Sequence, residues 1–377
     1  MNLDILNSGF IPKVICEQLP EGFEDIELLA EELPKVLANE QITDRVAKLE
    51  TEKDISRLSL SELERAMLLY SYIGHAYMWG KSKVENIIPI QISKTWYDIS
   101  QKLDRPPILS YASYALNNWK IANPDKPFDV ENVSIMQNFL GGVDEDWFVT
   151  IHVCIEDAAR DAIEAAYELS FLNEKHKVHD FSVELKRIIN SLKKVNYIFS
   201  LMPEKCDPYV YYHRVRPYIF GTKDNPDLKK GLIYENQFNN KPQFFRGETG
   251  AQSSIIPFLD GALGVYHTKD NLRHYLNEMR DYMPPKHRKM IEDVENRSNA
   301  KFFIDKSKSL TKLYNKCLEE IRAFRAQHLE YAATYIHKQA QVSSSVGTGG
   351  STIRGTGGTP FMKYLKKHRD ETQKQKI

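Results

Sequence analysis

Between Leu310 and Tyr335, the residues Leu310, Tyr314, Cys317, Ile321, Phe324, His328, Tyr331 and Tyr335 recur at steps of 4, 3, 4, 3, 4, 3 and 4. A strand alternates every second residue, so only a long α-helix gathers this set onto one side. Such a stripe has to lie against a body large enough to cover it. Its inward face carries a histidine. A buried imidazole without a partner is costly, so His328 is expected to be hydrogen-bonded as an ordinary core residue or to bind something. A single histidine on a long helix can be the axial ligand of a haem iron. Spacing alone does not choose between these readings. Arg325 lies one turn earlier on the same broad face, either as a surface charge or as a partner for a haem propionate.

The rest of the chain repeats the helical pattern. Residues 26–38, 60–79, 148–170, 182–202, 252–266 and 307–338 carry apolar residues at helical spacing. Ser61 and Glu64 have capping-box spacing near the start of 60–79. A further helix is predicted from about Ile108 to Ala122, between Arg105-Pro106-Pro107 and Asn123-Pro124-Asp125-Lys126-Pro127. Few alternating runs demand strands, so the predicted fold class is all-α or nearly so. A chain of 377 residues exceeds one compact core of ordinary size. The turn-rich stretch at 141–146 is the expected boundary between a small N-terminal helical domain, 1–140, and a larger helical domain, 141–377. Residues 342–359 are rich in Gly, Ser and Thr and contain Gly-Thr-Gly-Gly twice. No strand precedes them and no Gly-Lys-Ser/Thr appears, so a phosphate loop is a weak reading. A linker or a mobile lid fits better.

Charge and composition exclude several classes. Lys+Arg and Asp+Glu both total 51, whereas a nucleic-acid binder needs an excess of basic residues. Met1-Asn2-Leu3-Asp4 does not open a signal peptide, and no apolar run approaches the ~18 residues of a bilayer span. Cys16, Cys154, Cys206 and Cys317 are scattered, as suits a reducing cytoplasm. His176 and His179 lack an obvious third ligand for zinc. His75, His267, His274 and His287 read as structural or surface residues.

Residues Tyr209 to Tyr218 form a second unusual place, in which tyrosines precede Arg214 and Arg216. Tyr212 and Arg216 would be neighbours on a helix. An aromatic wall beside a guanidinium suits a flat amino acid, whose carboxylate takes a charge-assisted fork. An amphipathic helix start with surface arginines fits the same residues.

Several separated strings resemble the indoleamine 2,3-dioxygenase family. They are Asp104-Arg-Pro-Pro-Ile-Leu-Ser-Tyr-Ala112 with Asn118-Trp119, Arg216-Pro-Tyr-Ile, Asn225-Pro-Asp-Leu, Gly231-Leu-Ile-Tyr-Glu235, the run Gly250 to Gly264, Met279 to Arg288, and Gly355-Thr-Gly-Gly-Thr359. They cover roughly 104–370 in order, and residues 1–100 match weakly. The resemblance implies a haem dioxygenase that opens the indole ring of tryptophan or a related indoleamine to N-formylkynurenine. It implies haem b, ferrous when active, with O2 and an indole as substrates and an unidentified reductant. The expected partners include no nucleic acid and no membrane, and the expected state is a monomer.

Residue by residue, His328 followed by Leu329 resembles the proximal iron ligand, and Arg325 a nearby arginine. Arg216 resembles the arginine that takes the substrate carboxylate. Tyr111, Tyr114, Tyr211 and Tyr212 fall at pocket positions, and Thr356 in the Gly-rich loop over the substrate. Thr249, Gly250 and Ala251 resemble the loop over the haem. With one residue of slack, His152 falls where the family often has serine, as a possible distal partner of the indole N–H. Haem-superfamily proteins with other chemistry, and haem binders without turnover, are the alternatives.

Overall fold

The computed structural model describes residues 8–268, 271–341 and 361–377. Short helices at Glu24–Glu31, Leu33–Ala38 and Ile42–Val46 lead into α1, Leu60–Trp79. The stretch expected as one helix over 26–38 is divided at Glu32, just ahead of Pro34. The capping box of α1 is formed by Ser59 and Glu62, not by Ser61 and Glu64. Ser59 is the residue with extended backbone (φ −64°, ψ 169°), the conformation an N-cap requires. Glu64 instead pairs with the guanidinium of Arg105.

Helix α1 is buried on nearly every side and crosses α2, Ile90–Leu103, at Gly74. A Cβ at Gly74 would stand 2.3 Å from the Trp96 ring, so the missing side chain admits the indole. The segment expected as a helix from Ile108 to Ala122 is a single π-helical turn, Ala112–Leu116. The chain then leaves helix at β2, Lys120–Ile121, which pairs antiparallel with β3, Val133–Ser134. Asn118 holds this exit: its side chain bonds the Tyr114 and Gln137 carbonyls and accepts from the Gln137 N–H. The two-residue strands β1, Ile87–Ile88, and β4, Ile233–Tyr234, pair in parallel. Among the described residues these are the paired strands, and the fold is all-α in character.

Beyond Gly141 and Gly142, both at positive φ, the helices lengthen. The stretch expected at 148–170 is two helices, α3 (Val143–Ala158) and α4 (Arg160–Leu169). Ala162, Ala165 and Ala166 on α4 are fully covered, and these small residues let α5, Val178–Ser200, pack close. Helices α6 (Ile255–Leu263), α7 (Asn271–Arg280) and α8 (Pro285–Arg297) follow. Helix α9, Lys308–Ala332, lies along α5 in the same sense. Its Cys317 contacts Leu185, and further on Tyr331 reaches Phe199. Helix α10, Phe361–Lys374, packs back onto α9.

Two apolar cores result. One is built around α1, α2 and the first short helices, and the other around α3 to α6, α8 and α9. The stripe read on α9 divides along its length. Leu310, Tyr314, Cys317 and Ile321 are fully packed, whereas Phe324, His328 and Tyr331 are only partly covered. The second half therefore faces open space inside the protein.

Candidate functional site

That space is a cavity with about 290 Å³ available to water centres. The later halves of α5 and α9 form one side through Leu192, Val195, Phe199, Phe324, His328 and Tyr331. Two groups of wall residues differ in character. Tyr111, Phe148, His152 and Tyr211 are mutually packed rings. Phe148 lies 4.5 Å from Tyr211 and 4.5 Å from His152 by ring centroids, and Tyr111 meets His152 edge-on at 6.0 Å. The second group is polar, with the Asp260–Arg325 ion pair beside His267 and His368.

His328 is the most informative wall residue. Neither of its ring nitrogens has a hydrogen-bond partner among the described residues; its ring neighbours are Phe199 and Phe324. Burial, and then the nearby His152, hold its pKa down at about 4, so the imidazole is neutral at pH 7. His152 differs. Its Nδ1 donates to the Phe148 carbonyl at 2.7 Å, and burial lowers its pKa. With the proton fixed on Nδ1, Nε2 keeps a lone pair and has no partner among the described residues. His152 is thus bonded to a backbone carbonyl and lines the cavity at once.

Three π-helical turns supply wall residues or their supports. They are Ala112–Leu116, Tyr211–Val215 and Ala333–His337. Each is closed by an N–H bonded five residues back: Asn117 to Ala112, Arg216 to Tyr211 and Lys338 to Ala333. Such turns recur at functional sites. At the second, Pro217 has no N–H to donate and its ring clashes with a preceding carbonyl, so the α-helical ladder cannot run on.

Tyr111 is held from two directions. Its hydroxyl donates to Glu156 at 2.9 Å, and its N–H donates to the Gln252 side chain at 2.9 Å. Glu156 also accepts from Ser253, and burial pushes its carboxyl up to about 7. Thr249, Gly250 and Ala251 form a turn on the wall, where a Cβ at Gly250 would meet nothing within 4 Å. Arg325 is buried and bound to Asp260 at 2.5 Å and to Thr372.

Other expected residues stand one layer back. Tyr114 stacks on Tyr72 at 6.0 Å and leans on Phe148. Arg216 is fully covered, with its guanidinium over Tyr212 at 4.9 Å and Phe220 at 4.5 Å. Tyr211, by contrast, lies on the wall. Thr356 and the segment 342–359 lie outside the described residues.

The sequence reading did not single out Phe148, Glu156, Glu248 or Asp260. Glu156 had a signal: it is a carboxylate four residues after His152 inside an apolar helix. Glu248 had none, because it lies in an irregular segment. His267, read as a lone structural or surface residue, is buried between Asp260 at 3.0 Å and Glu371 at 2.7 Å. His267, His368 and Glu371 offer ligand atoms within 4.8 Å of one another. The two imidazoles are stacked at 4.3 Å with planes 26° apart. Lone pairs lie in the ring planes, so these rings do not converge on one ion, and the cluster is an ion-pair network joining α6 to α10.

Fold and cavity together define a mainly helical protein with an aromatic chamber and, on its wall, an imidazole without a hydrogen-bond partner among the described residues. The family model for indoleamine 2,3-dioxygenase matches residues 3–375. Indoleamine 2,3-dioxygenase 1 of Rattus norvegicus is 34% identical, over 97% of this chain and 92% of its own length. The indoleamine 2,3-dioxygenase of Saccharomyces cerevisiae is 28% identical over 82% and 78%. A protein named myoglobin from Haliotis madaka is 29% identical over 97% and 95%. The chain belongs to the indoleamine 2,3-dioxygenase family.

The cavity fits the haem on which that family depends. A flat, largely apolar cofactor with two carboxylates needs apolar walls, a basic edge and an axial donor. The α5 and α9 side chains, the Arg325 edge and the neutral His328, without a hydrogen-bond partner among the described residues, supply these. No helix among the described residues is long and apolar enough to cross a membrane.

Proposed function

We propose that this chain is a haem dioxygenase that adds both atoms of O2 across the C2–C3 bond of the indole of L-tryptophan or a related indoleamine, giving N-formylkynurenine. The observation that carries the reading is His328, a neutral imidazole with no hydrogen-bond partner among the described residues, on the wall of a chamber that the rings of Tyr111, Phe148, His152 and Tyr211 also line. His328 would hold the iron of haem b, ferrous in the active state, and Arg325 with the Thr249–Ala251 turn would border the cofactor. When bound, the haem supplies the redox chemistry that lets O2 react with the indole.

The chain's own residues orient and enclose. Phe148, Tyr111 and Tyr211 pack the indole ring and keep water out. The His152 Nε2, an acceptor because Nδ1 is committed to Phe148, takes the hydrogen bond of the indole N–H. Tyr212 and Tyr114 brace this wall from behind. Arg216, which Tyr212 and Phe220 cover, would anchor the substrate carboxylate once those rings move aside, and Thr356 belongs to the loop that closes over it. Reduction to the ferrous state needs an external donor. In this reading 141–377 is the larger, haem-holding part and 1–140 the smaller one, in a cytoplasmic monomer.

The test is steady-state formation of a kynurenine-type chromophore from L-tryptophan by the reduced holoprotein. One relative bears the name myoglobin, so reversible O2 binding without that product would favour a non-catalytic haem binder. A second measurement concerns Arg216. Arg216→Ala is expected to weaken L-tryptophan relative to tryptamine, which lacks the carboxylate, by roughly tenfold to a hundredfold. Equal losses for both ligands would make Arg216 structural.

A further inference from the structure

Glu156 stands on α3, one turn after His152, and the proposed reaction leaves it unused. It is fully covered. Its Oε1 accepts two hydrogen bonds, from the Tyr111 hydroxyl at 2.9 Å and from the Ser253 hydroxyl at 2.7 Å. Tyr111 and Ser253 both line the cavity, and they come from segments remote in sequence. The other carboxyl oxygen, Oε2, is equally enclosed and has no hydrogen-bond partner among the described residues.

The backbone at this junction is fixed without Glu156. The Tyr111 N–H donates to the Gln252 side chain at 2.9 Å, and that side chain donates in turn to the Gly247 carbonyl at 2.9 Å. The Ser253 hydroxyl oxygen accepts from the Ile255 N–H at 3.4 Å, in the first turn of α6. Gln252 thus sets where the Tyr111 backbone lies, and Glu156 holds the far end of its ring. That ring meets His152 edge-on at 6.0 Å. We infer that Glu156 is a positioning residue: it holds the Tyr111 ring and the Ser253 end of the Thr249–Ala251 turn at a fixed spacing, so that the indole meets a wall already in place. A wall ordered in advance adds affinity because less has to be ordered on binding.

The strength of this clasp depends on charge. Burial pushes the Glu156 carboxyl up to about 7, although its bonds to Ser253 and Tyr111 act the other way. Below that pH the proton sits on Oε2, which has no other partner, and Oε1 accepts as a neutral oxygen. Above it both bonds are charge-assisted, and such bonds are roughly twice as strong. Affinity for the indole should therefore rise with pH through this value. The titratable groups that share the corner are the Tyr111 phenol, pushed far up by burial, and His152, held down by burial. Glu248, on the same wall, acts on Tyr111 and is itself raised by burial to about 8. Asp157, next on α3, faces Arg160 and Lys194 instead.

This inference rests on the proposed indole site, and the experiment separates the two. Dissociation constants for L-tryptophan are read from the haem absorption band between about pH 6 and about pH 8. The proteins are wild-type holoprotein, Glu156→Gln, Tyr111→Phe and the double variant. Wild type should tighten roughly threefold to tenfold as pH rises. Glu156→Gln keeps a neutral acceptor of the same shape, so at every pH it should bind as wild type does at the acid end. Tyr111→Phe should remove most of the same profile. The double variant should be no weaker than the weaker single variant, because both changes break one interaction. A pH step that survives Glu156→Gln would belong to another group, such as Glu248, and would overturn the role of Glu156. Losses that multiply in the double variant would overturn it as well. If no indole perturbs the wild-type band, the indole site itself is overturned, and this role with it.

Discussion

Replacing His328 with alanine should leave a folded protein that no longer retains haem. His328 makes no hydrogen bond among the described residues and lies on a cavity wall, so its removal orphans no buried polar group. The fold should therefore change in stability by no more than about 1 kcal/mol, as for substitutions that strand no buried polar group and break no cap, ion pair or core packing. Haem affinity should fall by more than the roughly 10–100-fold that loss of an outer-shell partner costs. Purified His328→Ala, supplied with haem, should show a displaced Soret band and low occupancy, and added imidazole should restore part of the band by refilling the space. Wild-type haem content and spectrum in this variant would assign the iron to another residue.

Asp260→Asn should have the largest effect on stability. Asp260 lies on α6 and binds Arg325 of α9 and His267, which in turn holds Glu371 of α10. The substitution leaves the Arg325 guanidinium buried without its counter-charge, which costs about 3–5 kcal/mol. Burial pushes the Asp260 carboxyl up, but Arg325 and His267 more than reverse this and hold it at about 2, against an ordinary value of 3.8. A depressed acid stabilises the fold above its unfolded pKa, and that contribution is lost as pH falls through the folded value. Wild type should therefore lose about 2 kcal/mol from this group between roughly pH 4 and pH 2, and Asp260→Asn should lack that component. Denaturant titrations across this range measure it. Parallel acid profiles for the two proteins would show that the pair contributes nothing to the pH dependence.

How much could be read in advance depended on how local the cause was. The extent of α1 and the stripe on α9 follow from spacing within one helix, and both are legible. The stripe also pointed to His328 as the residue to explain. The three π-helical turns were not legible. Their extra residue is accommodated by packing against distant segments, as where Asn118 fixes the chain after Ala112–Leu116. The helix predicted over 108–122 is for that reason cut to the single turn Ala112–Leu116. The capping box was displaced by two residues because Glu64 is claimed by Arg105, a partner 41 residues away. Glu156 and Asp260 gain meaning only from Tyr111 and Arg325, which are remote in sequence. A resemblance to relatives could transfer Arg216, but not its position behind Tyr212.

The π-helical turns also bear on how such a chamber changes over generations. A π turn is an α-helix carrying one surplus residue. Deleting one residue from Tyr211–Val215 would restore the ordinary register and turn everything downstream by about 100° around the axis, given 3.6 residues per turn. Arg216 would then leave the face it shares with Tyr212. Single-codon deletions at these three places would thus re-aim the chamber's side chains, at a packing cost where Tyr114, Tyr211, Val215 and Tyr335 belong to the two apolar cores. Descendants of one ancestral helix set could in this way diverge in what they admit while keeping the same scaffold.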